Sequence, residues 1–168
     1  MTYTQPRIYV ACLAAYNNGI LHGEWIDATT DAEEMYAEVK RILRASPIPG
    51  AEEFAIHDHE GLGNIGEYTP LEEIASLVEV IEDAEENHIP PRAALAYAAE
   101  YDPHSMRDNY RGHYDSWADF ARELEEETGG IEDVPDRFRC HINWDSVGRE
   151  FETGGGLVEF DGHFFHTP

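Results

Sequence analysis

The sequence predicts an α+β protein built from small parts and drawn out into an elongated shape. Three observations carry this. Short β-like runs lie near both ends of the chain, and helical periodicity fills the middle. Its 168 residues suffice for one ordinary domain or for two to three very small ones. Finally, 35 Asp and Glu against 11 Lys and Arg leave a net charge of −24, and self-repulsion on that scale favours extension over compaction.

The elements follow in order. Arg7–Ala14 has the pattern of a buried strand, with Ile8, Tyr9, Val10, Cys12 and Leu13. Asn17-Asn18-Gly19 signals a turn, and Ile20–Ile26 returns as a second strand. Asp31 caps an amphipathic helix to about Ala45, with Met35, Val39, Ile42 and Leu43 at helical spacing. Pro47, Pro49 and Gly50 stop it. Glu53–His57 reads as a third strand and Asp58–Gly66 as a Gly-rich loop or hinge. Thr69-Pro70-Leu71-Glu72 has the form of a capping box with Pro at the first helical position. The helix behind it buries Leu71, Ile74, Ala75, Val78 and Ile81. Pro90-Pro91 opens an alanine-rich helix through Tyr101, Pro103 ends it, and a domain boundary falls near Tyr101–His104.

The last third opens with Met106–Tyr110. Ser116 then caps a helix to Glu127 whose apolar face is Trp117, Phe120, Ala121 and Leu124, and Gly129-Gly130 ends it. Arg139–Ile142 looks strand-like, and Asn143 caps a helix over Trp144–Glu152. After Gly154–Gly156, Leu157–Phe160 and His163–His166 flank Asp161-Gly162, a type I′ hairpin signal.

Composition excludes several classes. Nine Tyr, seven Phe and three Trp separate the chain from acidic disordered tails, which lack such aromatics. No run approaches the roughly 20 apolar residues of a membrane span, and Met1–Arg7 lacks the basic character of a secretion signal. The expected location is therefore the cytoplasm, with Cys12 and Cys140 as buried free thiols. The acidity repels nucleic acid and anionic membranes and attracts basic surfaces, above all DNA-binding grooves. Adaptation to high salt competes with this reading, since Lys40 is the only lysine. Charge is nevertheless uneven. Residues 67–104 hold ten acids and one base, whereas residues 1–66 hold ten acids and four bases, a concentration that uniform salt adaptation does not predict.

Within that middle part, Glu72, Ser76, Glu79, Asp83 and Glu86 fall on one line of the helix, flanked by Glu73 and Glu82. Steps averaging 3.5 residues place a charge about every 5 Å, comparable to phosphate intervals along DNA. Its alternative is an ordinary solvated helix face. A second acidic cluster comprises Asp115, Asp119, Glu123, Glu125, Glu126 and Glu127, partly compensated by Arg111 and Arg122. His57-Asp58-His59-Glu60 invites a metal or catalytic assignment, but its spacing matches no zinc motif. Gly61–Gly66 has no basic residue to hold a phosphate. His104, His113, His141, His163 and His166 show no ligand spacing, and Ser116 and Cys140 lie in no nucleophile motif.

Three stretches carry a family resemblance: Pro6–Asn17 (PRIYVACLAAYN) continuing through Leu21–Ala28 (LHGEWIDA), then Glu53–Gly61 (EFAIHDHEG), then Tyr110–Ala121 (YRGHYDSWADFA). Together they resemble the ArdA-type antirestriction proteins, in the right order from Pro6 to about Phe165. The middle part matches mainly in acidity and length.

The resemblance implies a three-domain α+β protein: 1–61 a sheet-plus-helix domain, 62–103 an acidic helical domain, and 104–168 an α+β domain holding a dimer interface. It also implies a DNA mimic, carried by mobile genetic elements, that inhibits type I restriction-modification enzymes by occupying the DNA groove of their specificity and modification subunits. No catalytic residue, cofactor or metal is implied, and no nucleic acid or membrane partner. The expected partner-binding surface is Glu72, Glu73, Glu79, Glu82, Asp83, Glu86, Asp115, Asp119, Glu123, Glu126 and Glu127. Trp144, Val147, Phe151 and the Leu157–Phe165 hairpin are the expected source of a two-fold interface. Doubling 24 charges gives the charge of about 24 base pairs, or about 80 Å of duplex. Two alternatives stand beside this: a small metal-dependent hydrolase using His57–Glu60, and a halophile interaction protein.

Overall fold

The apolar run after Pro6 becomes the central strand of a small sheet. In the computed structural model, which describes residues 5–168, the chain divides into two compact units that meet at Leu95/Ala96. In the first unit, β1 (Arg7–Cys12) lies between β2 (Gly23–Asp27) and β3 (Phe54–Glu60), antiparallel to both. Ile8 and Val10 point into the core, whereas Arg7 and Tyr9 alternate to the other face. β1 stops short of the expected Ala14. Leu13–Asn17 instead forms a short helix, α1, and Gly19 at φ +74° closes the turn behind it, so β1 and β2 are not joined by a tight hairpin.

α2 (Ala32–Arg44) begins where expected. The Asp31 carboxylate accepts from the Glu33 and Glu34 amides, and Arg41 and Arg44 sit in its last turn, favourable to the helix dipole at both ends. β3 runs on to Glu60, so Asp58 through Glu60 lie in a strand rather than the expected loop. α3 (Leu71–Glu86) starts without the expected capping box: Pro70 is the N-cap, and the Thr69 hydroxyl accepts from the Gly66 amide instead. At its other end, the His88 amide donates to Glu85 O and the Ile89 amide to Ala84 O, a Schellman closure that puts His88 at φ +58°.

Leu71, Ile74, Ala75, Val78 and Ile81 are all buried, as expected, together with Val80 and Ala84. The first five join Ile8, Val10, Ile26, Met35, Val39, Ile42 and Ile56 in one core. That core runs across the expected 61/62 boundary. A two-layer packing of sheet and α2 offers α3 the apolar surface that it cannot supply for itself.

α4 (Pro91–Ala98) contains the boundary between the units and ends three residues before the expected Tyr101. A 3₁₀ turn at Pro103–Ser105 and α5 (Met106–Asn109) lead into β4 (Tyr110–His113), a strand the sequence reading does not anticipate. α6 (Trp117–Thr128) is capped by the Ser116 hydroxyl, which accepts from the Asp119 amide, and ends at Gly129 at φ +80°. The expected strand at Arg139–Ile142 is absent. Asp136–Arg139 forms a helical turn, α7, closed by Cys140, because the Pro135-initiated turn captures these residues before they can pair with a strand. Cys140 is thus exposed rather than buried, Cys12 is buried, and both are free.

α8 (Trp144–Gly154) is capped by Asn143, whose side chain accepts from the Ser146 amide. β5 (Leu157–Phe160) and β6 (His163–His166) form the expected hairpin, with Asp161 at φ +57° and Gly162 at φ +82°. Two successive positive φ values are the type I′ geometry. The second sheet has the order β4-β6-β5. Phe164 points to one face, packing with Phe120, Leu157, Trp117 and Phe151. Phe165 points to the other and stacks on Tyr97 at 4.7 Å. α6 and α8 meet at Gly148, where a Cβ would lie 2.7 Å from the Trp117 carbonyl carbon. Among the described residues no helix is long and apolar enough to cross a membrane.

Candidate functional site

α3 needs its apolar positions for the core, so its carboxylates are left on the remaining strip of surface. Glu72, Glu73, Glu79, Glu82, Asp83 and Glu86 are all exposed. Glu72 through Glu86 span about 21 Å of helix axis. Among the described residues none of these carboxylates has a Lys or Arg partner. Their neighbours are neutral: the Tyr36 hydroxyl donates to Glu72 at 3.1 Å, and the Asn87 side chain contacts Asp83 at 3.3 Å. Partial burial, followed by the hydrogen bond to Glu72, raises the Tyr36 pKa, which keeps this hydroxyl a neutral donor. Glu85 is also exposed but sits off the stripe.

Elsewhere in the same unit three acids have an Arg partner. Arg41 pairs with Glu24 at 2.8 Å and Glu38 at 3.0 Å, and Arg7 with Glu60 at 2.8 Å. Hydrogen bonding to these guanidiniums holds the Glu24 and Glu60 carboxyls below the usual carboxylate range. Glu33, Glu34 and Asp58 have no such partner among the described residues, so what sets α3 apart is the gathering of six exposed acids on one helix with no Arg or Lys in its last turn. Like charges at three- and four-residue spacing destabilise a helix, so the fold tolerates a local cost there.

In the second unit, Asp115, Glu123, Glu126 and Glu127 are exposed and Asp119 is half-buried. Asp119 is the most constrained, accepting from the Ser116 hydroxyl at 2.6 Å and from Arg122 at 3.3 Å. The Tyr114 hydroxyl donates to Glu123 at 3.1 Å. Burial and this bond raise the Tyr114 pKa. Tyr36 and Tyr114 thus orient one carboxylate in each unit. The sequence reading misses both, because their partners lie 36 and nine residues away, outside any helical period.

The segment His57–Glu60 does not converge on a shared ligand. His57 approaches Glu67 at 3.4 Å and packs edge-on against Tyr16, Asp58 accepts from the His59 amide, and Glu60 is bound to Arg7. No group of three or more His, Cys, Asp or Glu side chains among the described residues is arranged to hold a metal ion. His113 and His163 do meet, with ring centroids 4.9 Å apart, and the Tyr110 hydroxyl lies 2.9 Å from His163. Burial, then the neighbouring His113, lowers the His163 pKa.

Of the residues expected at a two-fold interface, Leu157, Phe164 and Phe165 are buried within their own unit, and Phe151 packs against its core. Trp144 and Val147 are half-buried. Trp144 lines a shallow, open pocket with Glu126, Ile131, Glu132 and Arg139.

A family model described as antirestriction protein (ArdA) matches residues 8–166, nearly the whole chain. No curated protein matches the chain.

Proposed function

We infer that this chain, which belongs to the ArdA family of antirestriction proteins, inhibits type I restriction-modification enzymes by presenting its carboxylates where they would bind DNA phosphates. The unpaired row on α3 carries this reading. Six exposed acids with no Lys or Arg partner among the described residues are poor helix chemistry and good phosphate mimicry, since basic groups in a DNA groove would find them unoccupied. The α6 cluster is the second contact surface. Its acids are partly compensated, so it contributes less per residue. Adaptation to high salt gives no reason to gather ten acids against one base within residues 67–104.

The target surface is the DNA groove formed by the specificity and modification subunits, in the cytoplasm of a bacterial host. The protein acts by occupancy, without chemistry of its own. For function we divide the chain into three parts, 1–61, 62–103 and 104–168, with the third joining two copies. The Trp144 and Val147 side of α8 is then the better interface, because the hairpin's apolar side chains already serve the core. A dimer doubles the number of unpaired carboxylates offered to one enzyme. The test is protection in a defined mixture: a type I enzyme, its unmodified plasmid, and the purified protein. The reading expects cleavage and methylation of the plasmid to fall together as the protein is added. Undiminished cleavage at a tenfold molar excess contradicts it.

A further inference from the structure

Ile8, Val10, Ile26 and Ile56 give one face of the first unit's sheet to the core, and the opposite face carries an unusual set of side chains. Register pairs place Tyr9 opposite Trp25 and Asp58, and Arg7 opposite Asp27 and Glu60, so these six residues share that face. The Arg7 guanidinium lies 4.7 Å above the Trp25 ring, and Tyr9 packs edge-on against Trp25 at 5.7 Å. A Cβ on Gly23 would lie 2.5 Å from the Val10 carbonyl oxygen and 2.9 Å from the Tyr9 hydroxyl, so the backbone demands glycine here and Tyr9 reaches over it. The Cys12 amide donates to His22 O, which continues the β1–β2 ladder back to residue 22. Alternation then brings Leu21 onto the face of Gly23 and Trp25. Leu21 is 88% exposed and Trp25 37%. Of six exposed large hydrophobics among the described residues, Leu21 and Trp25 belong to this edge of the sheet, and apolar side chains left open together there offer an interaction surface.

Trp, Tyr and Arg are the residue types that dominate protein–protein binding energy, and here they are held in place before any partner arrives. The charge of the face selects the partner. Arg7 gives two hydrogen bonds to Glu60 and also feels the charge of Asp27 beside it; with Asp58 on the same face, one cation stands against three acids and the rim is negative. A second copy would bring the same negative rim against itself, and nucleic acid or an anionic membrane would be repelled outright. We propose that the outer sheet face, centred on Leu21, Tyr9 and Trp25, docks on a protein surface with an apolar centre and a basic rim. Building on the function proposed above, that surface is the protein wall beside the target enzyme's DNA groove. The contact would be short-range and apolar, adding an affinity component that salt does not screen to one that salt does.

Binding of the full-length protein to a purified type I methyltransferase core, followed in 0.1 M and 0.4 M NaCl, tests this. Leu21→Ser should weaken binding about tenfold at both salt concentrations, leaving the salt dependence unchanged, and Leu21→Met should restore it. Leu21 is almost fully exposed, so the fold is not at risk, and Trp25→Ser, checked by circular dichroism, should repeat the effect. Wild-type affinity in both serine variants overturns the proposal while leaving inhibition by mimicry standing. A loss seen at 0.1 M and absent at 0.4 M also overturns it, since the contact would then be ionic. A change in sedimenting mass on Leu21→Ser would overturn it by making a second copy the occupant. If wild-type protein fails to bind the methyltransferase at all, the function proposed above fails and this docking partner with it.

Discussion

Neutralising the α3 stripe should strengthen the fold and weaken the function. The perturbation is Glu72→Gln, Glu79→Gln, Asp83→Asn and Glu86→Gln together, which changes charge with little change of shape. Five acid pairs on α3 stand three or four residues apart: Glu79–Glu82, Glu79–Asp83, Glu82–Glu85, Glu82–Glu86 and Asp83–Glu86. The four substitutions relieve every pair but Glu82–Glu85. At about 0.2–0.5 kcal/mol per pair, relief is about 1–2 kcal/mol. Losing the Glu72 charge from the first turn takes back about 0.3–1 kcal/mol, while a Gln there still accepts from Tyr36. The net gain of roughly 0.5–1 kcal/mol corresponds to a melting temperature higher by about 2–8 °C.

Binding responds in the opposite sense. Up to four ion contacts are lost at about 0.2–1 kcal/mol each, so inhibition weakens about tenfold or more. The slope of log affinity against log salt falls by up to about 0.9 per contact. Glu79→Gln alone costs less than about fivefold. Calorimetric melting and inhibition titrations at several salt concentrations read both quantities from one preparation. An unchanged salt slope in the fourfold variant would refute the placement of the site on α3. A lower melting temperature would refute the account of why the stripe is costly.

Other expectations follow from single contacts. Gly148→Ala puts a methyl 2.7–2.8 Å from the Trp117 and Ala118 backbone; overpacking of about 1–3 kcal/mol, less about 1 kcal/mol of helix propensity, should lower the melting temperature, and an unchanged value would refute the tight α6–α8 crossing. His88→Gly relieves the φ of +58° at an exposed position and should stabilise the chain by about 0.5–1 kcal/mol in denaturant unfolding; destabilisation would refute the strain argument. His163 is held neutral in the fold, below its ordinary value of 6.5. The unfolded chain therefore binds its proton first as pH falls below about 6.5, and that part of the stability is lost. His163→Phe should flatten stability between pH 7 and 5 relative to wild type, and a parallel profile would count against it.

Much of the fold was legible because it is written locally. Asp31, Ser116 and Asn143 each precede an apolar period and each caps a helix, and Asp161-Gly162 forms its hairpin as two residues that accept positive φ. The errors share a cause in the absence of tertiary information. Thr69-Pro70-Leu71-Glu72 has the letters of a capping box, yet its hydroxyl turns back to Gly66. Arg139–Ile142 has apolar character without a strand to pair with. β4 is too short, and too marked by glycine, to show period-two alternation, and exists because β6 lies beside it. The core common to α3 and the first sheet is invisible for a related reason: composition separates the acidic middle from the N-terminal part, while packing joins them through side chains that carry no charge. The acidic stripe itself was fully legible, since helical spacing alone puts those carboxylates on one line. What spacing could not reveal is which acids keep a cation nearby, because Arg7–Glu60 joins neighbouring strands and Arg41–Glu24 joins helix to sheet.

The most direct test of the central claim is displacement of a fluorescent cognate duplex from a type I methyltransferase core, repeated from 0.05 to 0.3 M NaCl. Mimicry predicts competition at a shared site, with saturating duplex abolishing protein binding and the reverse. It further predicts that the protein's affinity falls steeply with salt, as the duplex's does. A ternary complex of enzyme, duplex and protein, or an affinity that salt leaves unchanged, would contradict the claim.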